Sequence, residues 1–211
     1  MATEQAKRIR RLPGDAQREI LDAAETVLGE RPFRELSVDE LMARTGMRRS
    51  SFYHYFGSLD DVAIALMRRV QGEMMAAAAP WLEADADADP IAAAERAILS
   101  SAEIFARNAA VLTAIHEASY HSERVQEVWR HGVLEDWIGA IARQLRAQRR
   151  RGVTRVEDPE ETARALLLMN TLVFVERLGQ QPPDPPAAVA RTLERIWLGV
   201  IYPEALVARR R

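Results

Sequence analysis

The segment Ser37–Ser58 reads SVDELMARTGMRRSSFYHYFGS. Its first half is a short helix with a start signal. Ser37 stands three residues before Glu40, the spacing of a capping box, in which the serine oxygen accepts from the Glu40 amide and the carboxylate reaches back. Val38, Leu41 and Met42 then face inward. Thr45-Gly46-Met47 breaks that helix, and Gly46 can take the positive φ a tight turn needs. A second short helix is predicted over about 48–56, stopped by Gly57-Ser58. Two short helices around a glycine turn, behind a supporting helix, outline a helix-turn-helix.

The second of these helices is unusual in charge. No acid lies between Glu40 and Asp60, while Arg44, Arg48 and Arg49 do. Phe52 and Phe56, four apart, anchor one face in a core. Arg48, Arg49, Ser50, Ser51, Tyr53 and His54 remain for the other side. In a helix-turn-helix this side enters the major groove, where Arg can pair with guanine O6/N7 and Ser can serve either base. Tyr and His near the helix end can reach phosphates and fix register. Ser37 belongs to the same expected DNA-contacting set. Upstream, Lys7, Arg8, Arg10 and Arg11 crowd together, and Arg10 and Arg11 are expected to follow the groove as a basic arm. Spacing alone leaves a second reading open, in which FYHYF is a core aromatic cluster and the arginines a solvated face.

Outward from this segment, helical periodicity dominates. Ile20, Ala23, Ala24, Val27 and Leu28 predict a helix from about Asp15 to Arg31-Pro32. Ser58 and Asp61 form a second capping box, opening a helix from Leu59 to about Ala79. PWLEADADADP, 80–90, reads as a linker. Further helices are expected near 91–107, 109–121, 122–150, 158–179 and 186–201, punctuated by Pro159 and by QQPPDPP at 180–186. No strand-like alternation appears, so the fold class is all-α: an N-terminal helix-turn-helix domain over 1–57 and a larger helical bundle over 58–211 for ligand binding and dimerisation.

The bulk numbers narrow the function. The 211 residues carry a net charge of -2, so basic charge is local, which suits a small phosphate-contacting footprint. The chain has no cysteine, which excludes disulfides, thiol catalysis and Cys-ligated zinc. The basic N-terminus is followed by no apolar run, and Ala165–Val175 is too short to span a bilayer. These features predict a cytoplasmic protein with no membrane partner.

The block Ser37–Val70, SVDELMARTGMRRSSFYHYFGSLDDVAIALMRRV, resembles the DNA-binding domain of the TetR family of repressors, and the match covers about residues 20–70. The turn glycine, the Tyr-x-Tyr-Phe element and the capped fourth helix occur in the family's order. ALLLMNTLVF at 165–174 and ERIWLGVIYP at 194–203 are similar to the C-terminal domain of the family's EthR-like branch, the ethionamide-activation repressor type. Two positions depart from the family pattern: Arg48 stands where Ser or Thr usually caps the third helix, and Leu59 where a phosphate-contacting Lys is usual.

The resemblance implies a homodimer formed through the last two helices, a palindromic double-stranded DNA operator, and a small hydrophobic effector in a C-terminal pocket. Trp129, Val133, Trp137, Asn170 and Trp197 are the pocket positions it favours, with Phe105, Met169 and Phe174 beside them. Read from the residues, an aromatic stripe with one buried amide suits an apolar ligand carrying a polar handle, but it suits an ordinary core as well. Asn170 could equally set register across a dimer interface. Relatives of this branch have a second pocket Asn where this chain has Leu167, and aromatics where it has Ala94 and Ser101, so a more apolar or differently shaped ligand is expected. Two apolar helices, Thr162–Leu178 and Ala188–Ile201, would supply the dimer bundle.

Other motifs fail on geometry. His116 and His121 in HEASYH are five apart, which splits the imidazoles around a helix, where zinc needs four. Asp85, Asp87 and Asp89 imitate an EF-hand start, but Pro90 replaces the required Gly and Arg96 the required Glu. No nucleophile motif, phosphate loop or dinucleotide fingerprint exists. The expectation is a non-enzymatic, ligand-responsive repressor without cofactor or metal; the alternative is an all-α carrier or enzyme for hydrophobic molecules.

Overall fold

The computed structural model describes residues 13–85 and 88–204, which places Arg10 and Arg11 outside the described residues. Among the described residues the chain is all helix and turn, with no strand. Helix α1 (Pro13–Glu30) begins two residues earlier than the periodicity suggests, because Pro13 fits a first helical turn. A 3-10 turn at Phe33–Glu35 leads to α2 (Val38–Thr45) and α3 (Arg49–Tyr55). Gly46 sits between them at φ 66°, the left-handed conformation that a Cβ disfavours. The Ser37 box is only half made. Ser37 Oγ accepts from the Glu40 amide at 3.2 Å, but the Glu40 carboxylate is drawn to Arg31 at 3.1 Å and Arg44 at 3.7 Å.

The Ser58 box is complete. The Asp61 amide donates to Ser58 Oγ, and the Ser58 and Gly57 amides donate to Asp61 Oδ2 at 3.0 and 2.8 Å. It starts α4 (Leu59–Leu82), the longest helix, at 24 residues about 36 Å from end to end. Here the structure corrects the expected linker: α4 continues through Pro80. Trp81 is the reason. It is buried, its Nε1 donates to Tyr202 Oη at 2.9 Å, and its ring meets Trp197 edge-on. Burying an indole with its hydrogen bond satisfied outweighs a proline in a last turn.

The remaining helices are α5 (Pro90–Arg107), α6 (Ala109–Ser119), α7 (Glu123–Val128), α8 (Glu135–Arg150), α9 (Pro159–Leu178) and α10 (Pro186–Ile201). Asp89, part of the rejected EF-hand pattern, caps α5 by accepting from the Ile91 and Ala92 amides. The helix expected over 122–150 is interrupted by a π-helical segment, Trp129–Leu134. The wider π turn changes the relative direction of two tryptophans. Eight α-helical steps would leave Trp129 and Trp137 about 80° apart, and each π step advances less, which brings both indoles towards one face.

Two cores result. One packs Ile20, Val27, Leu41 and Phe52 against Val62 and Leu66 of α4 and Ile115 of α6. The other joins the end of α4 to α5, α8, α9 and α10. Its deep end is tied by polar bonds: Tyr202 donates to Gln148 Oε1 at 2.7 Å, and Gln144 donates to the Trp81 carbonyl at 2.8 Å. Helix α4 contributes buried residues to both cores, Val62 and Leu66 to the first and Ala78 and Trp81 to the second. Among the described residues no single helix is long and apolar enough to cross a membrane.

Candidate nucleic-acid interface and ligand cavity

Helix α3 buries Phe52, with Phe56 beside it as the C-terminal cap residue. Arg48, Arg49, Ser50, Tyr53 and His54 are thereby left exposed along α3, and Ser51 is half-buried. The acids absent from this stretch are supplied by neighbouring helices. Arg44 is bound to Glu30 at 2.6 Å, which removes it from any reading face. Arg49 Nη1 donates to Asp39 Oδ2 and its Nη2 to Tyr53 Oη at 3.3 Å, with the guanidinium 5.9 Å from the Tyr53 ring centroid. Arg49 is thus pre-oriented by an acid of α2 and an aromatic of its own helix. Arg48, at the N-cap of α3, makes no capping bond through its side chain, and among the described residues it forms no ion pair. Ser37 is exposed, and its oxygen already serves as the α2 cap.

Between α4 and the helices behind it lies a cavity of about 160 Å³. All four tryptophans of the chain line it: Trp81, Trp129, Trp137 and Trp197. Phe105 and Phe174 also line it, their centroids 5.3 Å apart, as does Val133. Asn170 Oδ1 accepts from Trp197 Nε1 at 2.8 Å, which leaves the amide NH2 without a protein partner among the described residues. Met169 is not among the lining residues. It packs into the core instead, because the lining stripe of α9 is Leu167, Asn170, Thr171 and Phe174, and residue 169 is off that stripe. Ala94, Ser101 and Leu167, the positions that set this chain apart in its branch, all face the cavity.

Two contributors escaped the sequence reading. Helix α4 supplies Met67, Val70 and Met74, and α6 supplies Ile115 and His116. The α4 residues do repeat at helical spacing, but that signal does not separate a cavity wall from a core. His116, discarded as a zinc ligand, is a wall residue; burial pushes its imidazole below the usual range and favours the neutral ring, whose Nε2 lies 3.3 Å from Tyr120 Oη. Among the described residues no cluster of three or more His, Asp or Glu could hold a metal ion.

A helix-turn-helix head, joined by one long helix to a helical domain enclosing an apolar cavity, defines a ligand-responsive DNA-binding transcriptional regulator. Residues 20–66 match the family profile of bacterial regulatory proteins of the tetR type, and residues 94–203 match that of the C-terminal domain of transcriptional regulator EthR. EthR of Mycobacterium tuberculosis H37Rv is 35% identical over 192 residues, which span 90% of this chain and 88% of that protein. EthR of Mycolicibacterium smegmatis is 32% identical over 203 residues, 95% of this chain and 93% of that one. Among solved structures, PfmR of Thermus thermophilus superposes with a TM-score of 0.66 at 23% identity, covering 86% of this chain and 97% of its own. A regulator from Saccharomonospora viridis, solved with choline, gives 0.67 at 17% identity, covering 89% and 98%. The chain belongs to the TetR family of transcriptional regulators, with a C-terminal domain of the EthR type.

Proposed function

We propose that the protein is a homodimeric repressor that reads a palindromic operator through α3 and leaves it when a small apolar effector fills the cavity. The observation that carries this reading is the double role of α4. Its N-terminus starts three residues after Phe56 and is pinned by the Ser58–Asp61 box, while Met67, Val70 and Met74 further along it form a cavity wall. Any ligand that pushes on that wall acts on the helix that directly follows α3 and packs in the same core as Phe52. Asp60 at the start of α4 also accepts from Ser122 Oγ at 2.8 Å, so the head of α4 is tied to α7 as well.

The mechanism is a population shift. Paired α3 helices must lie about 34–36 Å apart, or a multiple, to read successive major grooves. A ligand that prefers the splayed arrangement draws the protein off the operator by its differential affinity for the two states, and by no more than that. The free NH2 of Asn170 suits a polar handle on an otherwise apolar molecule. The dimer would form through α9 and α10, where Leu168, Leu172, Ile196 and Val200 are exposed.

The test is binding of the purified protein to its own upstream intergenic DNA, against a scrambled competitor at physiological salt. A footprint of two half-sites, weakened when a bound apolar ligand saturates the cavity, is the expected result. Ligands that bind yet leave operator affinity unchanged would sink the release mechanism. On the same DNA, Arg49→Ala should cost roughly 1–3 kcal/mol and relax sequence preference. Equal loss on operator and scrambled DNA would instead make Arg49 a phosphate contact.

A further inference from the structure

A second depression lies outside the cavity, in the groove between α4 and α8, with a volume of about 490 Å³. Gln71 belongs to the walls of both. On the inner side it borders an almost wholly apolar space; on the outer side its Nε2 donates to Asp136 Oδ2 at 3.3 Å, a long bond. The floor of the groove is kept low by glycines on both helices. A Cβ on Gly72 would meet nothing within 4 Å, and one on Gly139 would lie 3.3 Å from Arg143 Nη1, so the missing side chain lets that guanidinium lie against α8.

The charges of the groove do not balance. Glu135 is engaged by Arg164 at 2.9 Å. Asp136 is the other carboxylate in the wall. Against it stand Arg68 and Arg143, both exposed, and among the described residues neither forms an ion pair. Two guanidiniums thus share the groove with Gln71, the residue that also borders the apolar cavity.

We infer that the α4–α8 groove is the head-group site of an alkyl carboxylate effector whose chain lies in the inner cavity. The chain enters between Gly72 and Gly139 and displaces the Gln71–Asp136 bond. The carboxylate stays outside, where Arg68 and Arg143 supply charge-assisted donors and the Gln71 amide a third. Inside the cavity the Asn170 amide can serve a neutral polar group, but a carboxylate there would lose its hydration with no cation to replace it, so the charge must remain at the groove. This rests on the effector-release reading above and gives that effector a chemical class.

All four tryptophans line the cavity, so intrinsic fluorescence reports its occupancy directly. The full-length protein is titrated with decanoate and, as the uncharged partner of the same chain length, with 1-decanol. Decanoate is expected to bind roughly tenfold more tightly, the effect of two exposed charge-assisted contacts. Added salt should narrow the gap. In the double variant Arg68→Gln, Arg143→Gln the gap should close, with decanol affinity unchanged; both side chains are exposed, so the fold is not at stake. Equal affinity for the two ligands in the unmodified protein overturns the proposal, as does a preference for decanoate that survives the double variant, or no fluorescence response to either. Failure of the release reading looks different: both ligands bind, decanoate more tightly, and operator affinity does not change.

Discussion

Phe52→Ala is expected to destabilise the reading head by about 3–5 kcal/mol and to abolish operator binding. Phe52 is wholly buried on an otherwise largely exposed seven-residue helix. Its ring lies 5.3 Å from Tyr53 and 5.8 Å from Phe56 between centroids, in the same core as Leu41 and Ile20. A helix this short has no stability of its own. Phe52 is the one residue within the helix that is fully buried, with Phe56 at its end as second anchor, and truncation leaves a cavity that neighbouring rigid helices cannot fill. A loss of that size is a large share of the roughly 5–15 kcal/mol that holds a typical domain together. Thermal unfolding should show the first core melting at a lower temperature than in the unmodified protein. A variant that melts with the unmodified protein would show that α3 is anchored elsewhere.

Leu172→Glu is expected to raise the dimer dissociation constant by about four orders of magnitude or more, because a two-fold axis uses each substitution twice and the glutamate enters the interface as a pair. Leu172 is 58% exposed in the protomer and Leu168, one turn before it on α9, 43%. Ile196 and Val200 on α10 have the same spacing and are 40% and 46% exposed. Four such side chains on adjacent helices form an apolar patch that a two-fold partner would cover with its own copy. An unpaired buried carboxylate costs about 3–5 kcal/mol. Because Leu172 contributes little to the protomer core, the variant should stay folded, which sedimentation equilibrium and circular dichroism together would establish. Operator binding should fall with dimerisation, since both heads are needed for a palindrome. A variant of unchanged mass would move the interface away from α9.

The helix-turn-helix was legible because its determinants are local. Ser37 opens a helix, Gly46 turns it and Phe52 with Phe56 marks the buried side, all on one short contiguous segment. Each of those choices depends on backbone geometry and on neighbours three or four positions away. The same holds for the Ser58–Asp61 box and for most helix ends.

The features that stayed hidden depend on partners far along the chain. Pro80 lies inside α4 because Trp81 is bound by Tyr202, 121 residues later. The π turn at Trp129–Leu134 goes with a cavity that Trp129, at its start, and Trp137, beyond its end, both line. Arg49 is pre-oriented by Asp39 across the turn, a pairing that the acid-free stretch around it did not reveal. The sequence by itself determined an all-helical chain with a helix-turn-helix near its N-terminus, because capping, turn geometry and amphipathic spacing are properties of contiguous residues; the DNA-reading role rested on the resemblance to the TetR family. Only the tertiary structure decided which apolar residues wall a cavity and which fill a core, because a side chain's burial is the same in both. The difference is the empty space between helices that no single helix encodes.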